Sequence, residues 1–123
     1  MKPLVYVAGP ISGDPFGCVR QGVEAFDVLR GVGCTPILPQ LSVLAEMVQH
    51  RPYEEWMAYD FEVIARCDAL VRLPGESEGA DREVRHAREL GVRVYLFDRP
   101  CDMRALSRQV ATLAPLDPRG SAA

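Results

Sequence analysis

The sequence has little of what a metal site or a disulfide-stabilised fold requires. It contains two histidines, no Cys-x-x-Cys pair and only four cysteines, Cys18, Cys34, Cys67 and Cys101. Zinc sites usually draw pairs of ligands from such short spacings, so we expect no metal ion. Cysteines spread evenly along a chain without a disulfide pattern are typical of reduced, partly buried thiols.

A long apolar run and a basic excess are also absent. No stretch approaches the roughly 18 apolar residues that cross a membrane, and the first residues enter a strand pattern without a signal-peptide layout. The net charge of -3 offers no basic face to a nucleic-acid backbone. We therefore expect a cytoplasmic protein that binds neither membranes nor nucleic acids. A mononucleotide or nucleoside remains compatible with this composition, because one phosphate needs only a pocket.

The loops lack the common signatures of cofactor and hydrolase sites. The loop Gly9–Gly13 contains neither a G-x-G-x-x-G pattern nor the Lys-Ser/Thr pair of a triphosphate-binding loop. Ser12 and Ser77 do not lie in the G-x-S-x-G pattern of a nucleophilic serine. We accordingly predict no dinucleotide, no triphosphate and no organic cofactor.

What the sequence does contain is an alternation of two periodicities. Short apolar runs rich in β-formers predict strands at residues 4–8, 34–38, 68–73 and 92–97, with Pro36 placing the second at or near an edge. Helical spacing predicts helices over residues 19–31, 52–67, 77–90 and 103–113, and less clearly over 40–51. In the predicted helix over residues 40–51, the apolar face would consist of Leu41, Leu44, Ala45 and Val48. Alternation of this kind predicts an α/β fold, a three-layer flavodoxin-like sandwich with a four- to five-stranded parallel sheet. Residues 1–114 would form one domain and 115–123 a flexible tail.

The turn after the third strand is the first candidate for chemistry. Gly79 and Ala80 leave the backbone bare at a predicted helix start, where amide groups favour anions. Glu83 would fall in the first turn of that helix, where the macrodipole favours a charged carboxylate that can act as a nucleophile or base. The alternative is an ordinary surface glutamate that only balances the dipole. His86, on the same charged helix, is expected to be solvated.

Two further residues are predicted to meet Glu83 at the same edge of the sheet. Asp60 lies four residues after Trp56 and four before Ile64, so a carboxylate shares one helix face with apolar side chains. Such a group is costly unless it is paired or used, although it could also be solvated at the margin of that face. Tyr6 lies near the end of the first strand and is either a core or a site residue. Strand ends of this kind converge at the switch point of an α/β sheet.

Three short motifs resemble a known superfamily, the nucleoside 2-deoxyribosyltransferase-like proteins. They are Tyr6–Pro10, Asp60 placed seven residues before Cys67–Val71, and Ser77-x-Gly79-x-x-x-Glu83. Trp56-Met57 and Leu73–Gly75 are most similar to a branch of small bacterial and phage proteins with a domain of unknown function. The resemblance spans about Leu4 to Phe97. It implies that Glu83 attacks the anomeric carbon of a nucleoside, that Tyr6 orients Glu83, and that Asp60 contacts the sugar or assists at the base.

The position of Ser77 concerns the substrate. Transferases of the superfamily usually carry an Asp there, which holds the 5′-hydroxyl group, whereas Ser resembles the nucleoside 5′-monophosphate N-glycosidases. A serine hydroxyl can donate a hydrogen bond to a phosphate that a carboxylate would repel. The resemblance thus implies a substrate- or phosphate-binding set consisting of Gly9, Ile11, Ser12, Ser77 and Gly79. Pro10 and Ser12 depart from the monophosphate enzymes, which often have Ser and Arg at these positions.

The function predicted from these residues is cleavage or transfer at the N-glycosidic bond of a (deoxy)nucleoside or nucleoside 5′-monophosphate. Two alternatives stay open. One is a nucleotide-binding sensor without turnover, and the other is a glycohydrolase acting on NAD or a signalling nucleotide. The resemblance also implies a homodimer or higher homo-oligomer. Nothing in the sequence decides between hydrolysis and transfer, or identifies the base.

Overall fold

The computed structural model describes residues 2–11 and 15–97, together with Arg108. Within this part, strands alternate with helices in the predicted order. The strands are β1 (Leu4–Ala8), β2 (Thr35–Ile37), β3 (Ala69–Arg72) and β4 (Arg93–Leu96). The helices are α1 (Pro15–Gly31), α2 (Ser42–Val48), α3 (Tyr53–Ile64) and α4 (Glu78–Glu89), with a single 3-10 turn, Pro39–Leu41, before α2. None of the helices in these ranges is long and apolar enough to cross a membrane.

The four strands form one parallel sheet in the order β2-β1-β3-β4. Tyr6 of β1 lies opposite Ile37 of β2 on one side and Leu70 of β3 on the other. The predicted flavodoxin-like α/β fold is therefore confirmed, as is the edge position of the strand that contains Pro36. Because the sheet is parallel, the loops after β1 and β3 leave it at the same edge, which is where ligands bind in such folds.

Helices cover both faces of the sheet, and each face has its own apolar core. On one face α1 packs against β1 and β3 through a cluster that comprises Val5, Val7, Ala25, Leu29, Cys34, Leu38, Ala69, Val71 and Leu73. On the other face α3 and α4 pack through Tyr6, Ala8, Ile64, Cys67, Leu70, Ala80, Val84 and Ala87. Alternate residues of β1 thus serve opposite cores, as the period-2 geometry of a strand requires. Tyr6 belongs to the face that carries α3 and α4.

Several boundaries differ from the sequence-based expectation. The helix α1 begins at Pro15, four residues before the predicted start at residue 19. Proline suits a first helical turn because its missing N–H has no helical partner there in any case. The helix α3 ends at Ile64 rather than near Cys67, because the Cys67 N–H turns back to the carbonyl of Ile64 and releases the chain into β3.

The helix that was predicted less clearly over residues 40–51 is present as α2, but the prediction that its apolar side chains face inward is wrong. Leu44 and Val48 are 63% and 89% exposed, and no residue of α2 is buried. The helix is instead anchored by Glu46, whose carboxylate accepts hydrogen bonds from Trp56 Nε1 and from the Arg51 N–H at 3.2 Å. The hydrogen bonds of Glu46 therefore hold α2 in place, although burial of apolar side chains was expected to do so.

Some predictions concern residues outside the described part of the chain. They are the role of Ser12, the helix over residues 103–113 and the tail over residues 115–123. The domain boundary near residue 114 also stays a prediction.

Gly75 lies in the loop after β3 and packs against Pro10 in the loop after β1. Its φ is +116°, and a Cβ at this position would lie 2.9 Å from Pro10 Cγ. We expect Gly75→Ala to lower the free energy of unfolding by about 1–3 kcal/mol, as measured by urea denaturation, because strain and a clash act together. Gly31→Ala is the matched control, since a Cβ there meets nothing within 4 Å. It should be neutral or stabilising, and equal stabilities for the two variants would refute this account.

Candidate active site

Tyr6 and Glu83 form the centre of the candidate site. The Tyr6 side chain is fully buried, and its hydroxyl group donates a hydrogen bond to a carboxylate oxygen of Glu83, which is itself only 6% exposed. Burial raises the pKa of Tyr6 far above its usual value, and the nearby charges of Glu83 and Asp60 raise it further. The phenol therefore stays protonated and acts as a fixed hydrogen-bond donor.

The position of Glu83 follows from the helical period of α4. The buried positions of this helix recur at the spacing of one helix face, and they are Ala80, Glu83, Val84 and Ala87. A carboxylate on such a face is desolvated, which costs free energy unless a donor compensates it. The Tyr6 hydroxyl group provides that compensation from the middle of the sheet.

The structure corrects the predicted ionisation of Glu83. The helix α4 begins at Glu78 with Ser77 as its cap, so Glu83 lies in the second turn, beyond the part of the helix that the macrodipole affects most. Burial raises the pKa of Glu83 to about 8, and the charge of Asp60 adds to this effect, while the Tyr6 hydrogen bond opposes it. The expectation of a dipole-stabilised, charged carboxylate is therefore wrong. Burial therefore favours the protonated form of Glu83 in the free protein.

Asp60 completes this group from α3. Its side chain is half-buried and lies close enough to Glu83 and Tyr6 to interact with both. Burial raises the pKa of Asp60 above its ordinary value, while the hydrogen bonds to Glu83 and Tyr6 lower it. The structure thus brings Tyr6, Asp60 and Glu83 together, with Asp60 partly exposed at the margin of its helix face. Two linked carboxyl groups with raised pKa values can share one proton and pass it between them.

A pocket of about 240 Å³ lies beside Tyr6 and Asp60. Its wall includes the aromatic side chains of Trp56 and Tyr59, together with Leu38. Trp56 was predicted from periodicity as part of the inward face of α3, but it is only half-buried. Its indole N–H is held by Glu46, and the guanidinium of Arg51 lies 5.6 Å from its ring centroid. An aromatic wall beside the Asp60 carboxyl group suits a planar ring such as a nucleobase.

Gln40 is a residue that the sequence analysis missed. Its side chain is 1% exposed, yet neither the amide nitrogen nor the amide oxygen has a hydrogen-bond partner within the described part of the chain. It lies against the loop after β1, since a Cβ on Gly9 would be 3.0 Å from Gln40 Nε2. Buried polar groups without partners are rare and often mark a ligand or water position. The only sequence signal was a polar residue shortly after the end of β2.

The predicted phosphate-binding residues have different surroundings. Ser77 caps α4, because its hydroxyl oxygen accepts the Ala80 N–H at 3.0 Å. The α-carbon of Gly79 faces α3, and a Cβ there would lie 3.1 Å from the Tyr53 hydroxyl oxygen. Gly9 is half-buried and Ile11 is 36% exposed. The small size of Gly79 therefore makes room for a neighbouring helix, and its contact with a ligand stays a prediction, as do those of the other residues in this set.

His86 differs from its expected solvated state. It is half-buried and stacks on Phe61, with ring centroids 4.2 Å apart and planes 14° apart. Arg82 of the same helix pairs with Glu54 of α3 through N–O distances of 2.6 and 3.0 Å. These contacts tie α3 to α4, and so they fix Asp60 relative to Glu83.

Comparisons with known proteins agree with this architecture. The structure is similar to that of a 2-deoxyribosyltransferase from the psychrotolerant bacterium Bacillus psychrosaccharolyticus, with a TM-score of 0.64 and 25% sequence identity. The aligned part covers 80% of this chain and 74% of that chain. No curated relative matches the sequence. The model of a family described as a domain of unknown function, DUF4406, matches residues 3–96. Because that match spans most of the sequence, the chain belongs to the DUF4406 family.

Proposed function

We propose that the protein cleaves or transfers at the N-glycosidic bond of a nucleoside or nucleoside 5′-monophosphate, with Glu83 as the nucleophile. The observation that carries this proposal is the group of Tyr6, Asp60 and Glu83, in which Tyr6 and Asp60 line an aromatic pocket and Glu83 accepts the hydrogen bond of the Tyr6 hydroxyl group. The likeness to a 2-deoxyribosyltransferase supports nucleoside glycosyl transfer at the level of the superfamily. The residues, the substrate and the acceptor are the finer parts of the proposal.

The reaction begins with a proton that the free site already holds. In this proposal Glu83 and Asp60 share one proton, and burial favours the protonated form of Glu83. Transfer of this proton to Asp60 leaves Glu83 as a carboxylate, which attacks the anomeric carbon as the carbon–nitrogen bond breaks. Asp60 then gives the proton to the departing base. The products of this step are the free base and a glycosyl ester of Glu83, so atoms and charge balance.

The second step releases the sugar. Water attacks the anomeric carbon of the glycosyl ester to give hydrolysis, or the nitrogen of a second base attacks it to give transfer, and the bond from this carbon to the Glu83 oxygen breaks. In both cases Asp60 accepts the proton of the incoming nucleophile, and Glu83 leaves as a carboxylate. Tyr6 keeps one oxygen of Glu83 fixed by its hydrogen bond throughout, which orients the other oxygen towards the sugar. The Gln40 amide, which has no hydrogen-bond partner within the described residues, is a further candidate contact for the ligand.

The direct test is release of base from a panel of substrates. The protein is incubated with purine and pyrimidine (deoxy)nucleosides, their 5′-monophosphates and NAD, and free base is measured by liquid chromatography. Release from a nucleoside or monophosphate supports the proposal. Release from NAD alone would favour the glycohydrolase, and tight binding without release would favour the sensor.

Ser77 provides a test of the phosphate preference. In Ser77→Asp the new side chain is also a good helix cap, so the protein should remain as stable, but its charge repels a 5′-phosphate. We expect kcat/KM for the monophosphate to fall at least about tenfold relative to that for the nucleoside, the equivalent of about 1.4 kcal/mol. Ser77→Asn is the control, because it caps the helix without a charge. An unchanged ratio of the two kcat/KM values in Ser77→Asp would place the phosphate elsewhere.

We also propose that the protein works as a homodimer or higher homo-oligomer. The apolar side chains of α2 that face solvent, Leu44, Met47 and Val48, are exposed by 63%, 79% and 89%. The pocket includes Leu41, Ser42 and Ala45 beside them. A second copy packed on α2 would cover these side chains and narrow the mouth of the pocket.

A further inference from the structure

A second pocket lies outside the candidate active site. It has a volume of about 270 Å³ and is lined by Arg72, Asp81, Val84, Arg85, Arg88 and Leu96. Arg72 is the last residue of β3 and lies opposite Leu96 of β4 in the sheet, while the other side chains come from α4. The pocket shares no lining residue with the one beside Tyr6 and Asp60.

The charge of this pocket is opposite to that of the whole chain. Its lining contains three arginines and one aspartate, whereas the chain carries a net charge of -3. Arg85 and Arg88 are exposed, and neither forms an ion pair with another residue in the described ranges. Cations brought together without partners repel one another, so their grouping points to an anion.

Arg72 is the fixed part of this group. The residue is only 9% exposed, although arginine is rarely buried unless it is paired. Its guanidinium donates to Asp81 at 3.0 Å and to the carbonyl oxygen of Leu73, which holds it at the wall of the pocket. The Asp81 side chain is 60% exposed, so an incoming anion can displace it or add to it. The pocket thus has one guanidinium that the protein holds in place, that of Arg72, and two exposed guanidinium groups that can move to contact a ligand.

We propose that this pocket is a binding site for a small phosphate ester, with the phosphate held by Arg72, Arg85 and Arg88. A guanidinium pairs with two oxygens of a phosphate at once, which makes arginine the usual partner of this group. Val84 and Leu96 provide apolar contact for the carbon part of the ligand. The volume of about 270 Å³ is slightly below the usual range of ligand pockets, which suits a small sugar phosphate better than a dinucleotide.

The proposal is tested by isothermal titration calorimetry, which measures the affinity for ribose 5-phosphate. Ribose serves as the matched ligand that lacks the phosphate. We expect ribose 5-phosphate to bind and ribose not to bind. The double variant Arg85→Gln/Arg88→Gln should weaken binding at least tenfold, while Asp81→Asn should strengthen it because the competing carboxylate is gone. The matched control, Arg30→Gln/Arg66→Gln, removes the same charge from exposed residues elsewhere and should change the affinity less than twofold.

The Ser77→Asp protein separates this site from the candidate active site. Binding that survives in Ser77→Asp but is lost in Arg85→Gln/Arg88→Gln assigns the ligand to the second pocket. The reverse pattern would assign it to the candidate active site and overturn the proposal. Absence of binding at millimolar ribose 5-phosphate, or equal losses in the two double variants, would overturn it as well. None of these measurements needs turnover, so the result stands whether or not the proposed reaction is found.

Discussion

Glu83→Gln is expected to lower the rate of base release by at least about 1,000-fold, because an amide cannot form the glycosyl ester. The loss should appear in kcat, since the carboxylate acts on the reacting carbon and contributes little to binding of the intact substrate. The variant should fold normally. Glutamine has nearly the same shape, and its amide oxygen can still accept the hydrogen bond from the Tyr6 hydroxyl group.

The control for this variant is Glu89→Gln. Glu89 lies at the end of the same helix and is exposed, so the same substitution is made there without touching the site. We expect its activity to stay within about twofold of the unchanged protein. If Glu83→Gln kept more than a tenth of the activity while Glu89→Gln kept all of it, Glu83 would not be the nucleophile.

The second large effect is a loss of activity above pH 8. The proposed mechanism needs one proton shared by Glu83 and Asp60, and burial raises the pKa of Glu83 to about 8. As the pH rises through this value the pair loses its last proton, and the departing base has no acid. We therefore expect kcat/KM to decrease about tenfold for each pH unit well above 8. A rate that instead increases through pH 8 would show that Glu83 acts as a free carboxylate and that the base is protonated by another group.

The same proton also affects the free energy of unfolding. Because the pKa of Glu83 is raised, this effect makes the protein less stable as the pH rises. The pKa of Glu83 is higher in the folded protein than its ordinary value of 4.5, so folding favours the protonated form. This contribution is complete below pH 4.5 and is lost as the pH rises to about 8. Asp60, whose pKa burial also raises, adds in the same direction.

Comparison of the two proteins isolates this contribution. At pH 9, Glu83→Gln should be more stable than the unchanged protein by a few kcal/mol, whereas near pH 4 the two should be similar. Urea denaturation at both pH values measures the difference, and other carboxylates such as Glu46 and Glu54 cancel in the comparison. A Glu83→Gln variant that is less stable at pH 9 would contradict the burial of an ionising Glu83.

Much of this site follows from local sequence and sheet geometry. Tyr6 lies in β1 and Glu83 follows β3, and these strands are neighbours, so a parallel sheet brings their ends to one edge. Asp60 could be found because a carboxylate interrupted an apolar helix face. Each of these inferences needs only a hydrophobic period and the strand order of a flavodoxin-like fold, which the structure confirms.

Other properties depend on packing that a single sequence does not express. The ionisation of Glu83 depends on where α4 begins and on how deeply α3 covers it, and one turn separated the expected position from the observed one. Gln40 and Arg72 are polar residues whose importance depends on burial. Periodicity identifies an apolar helix face but not the direction in which that face points. The apolar residues of α2 were therefore wrongly predicted to face inward.

The weak attachment of α2 has a consequence for exchange of ligand with solvent. This helix has no buried residue and is held mainly by the hydrogen bonds of Glu46, yet Leu41, Ser42 and Ala45 form one side of the pocket. A segment of this kind opens at a small free-energy cost while the sheet and its two cores stay folded. Opening of α2 would then let a nucleoside enter and a base leave, so the turnover rate would be linked to local unfolding of seven residues, Ser42–Val48, rather than to motion of the catalytic group.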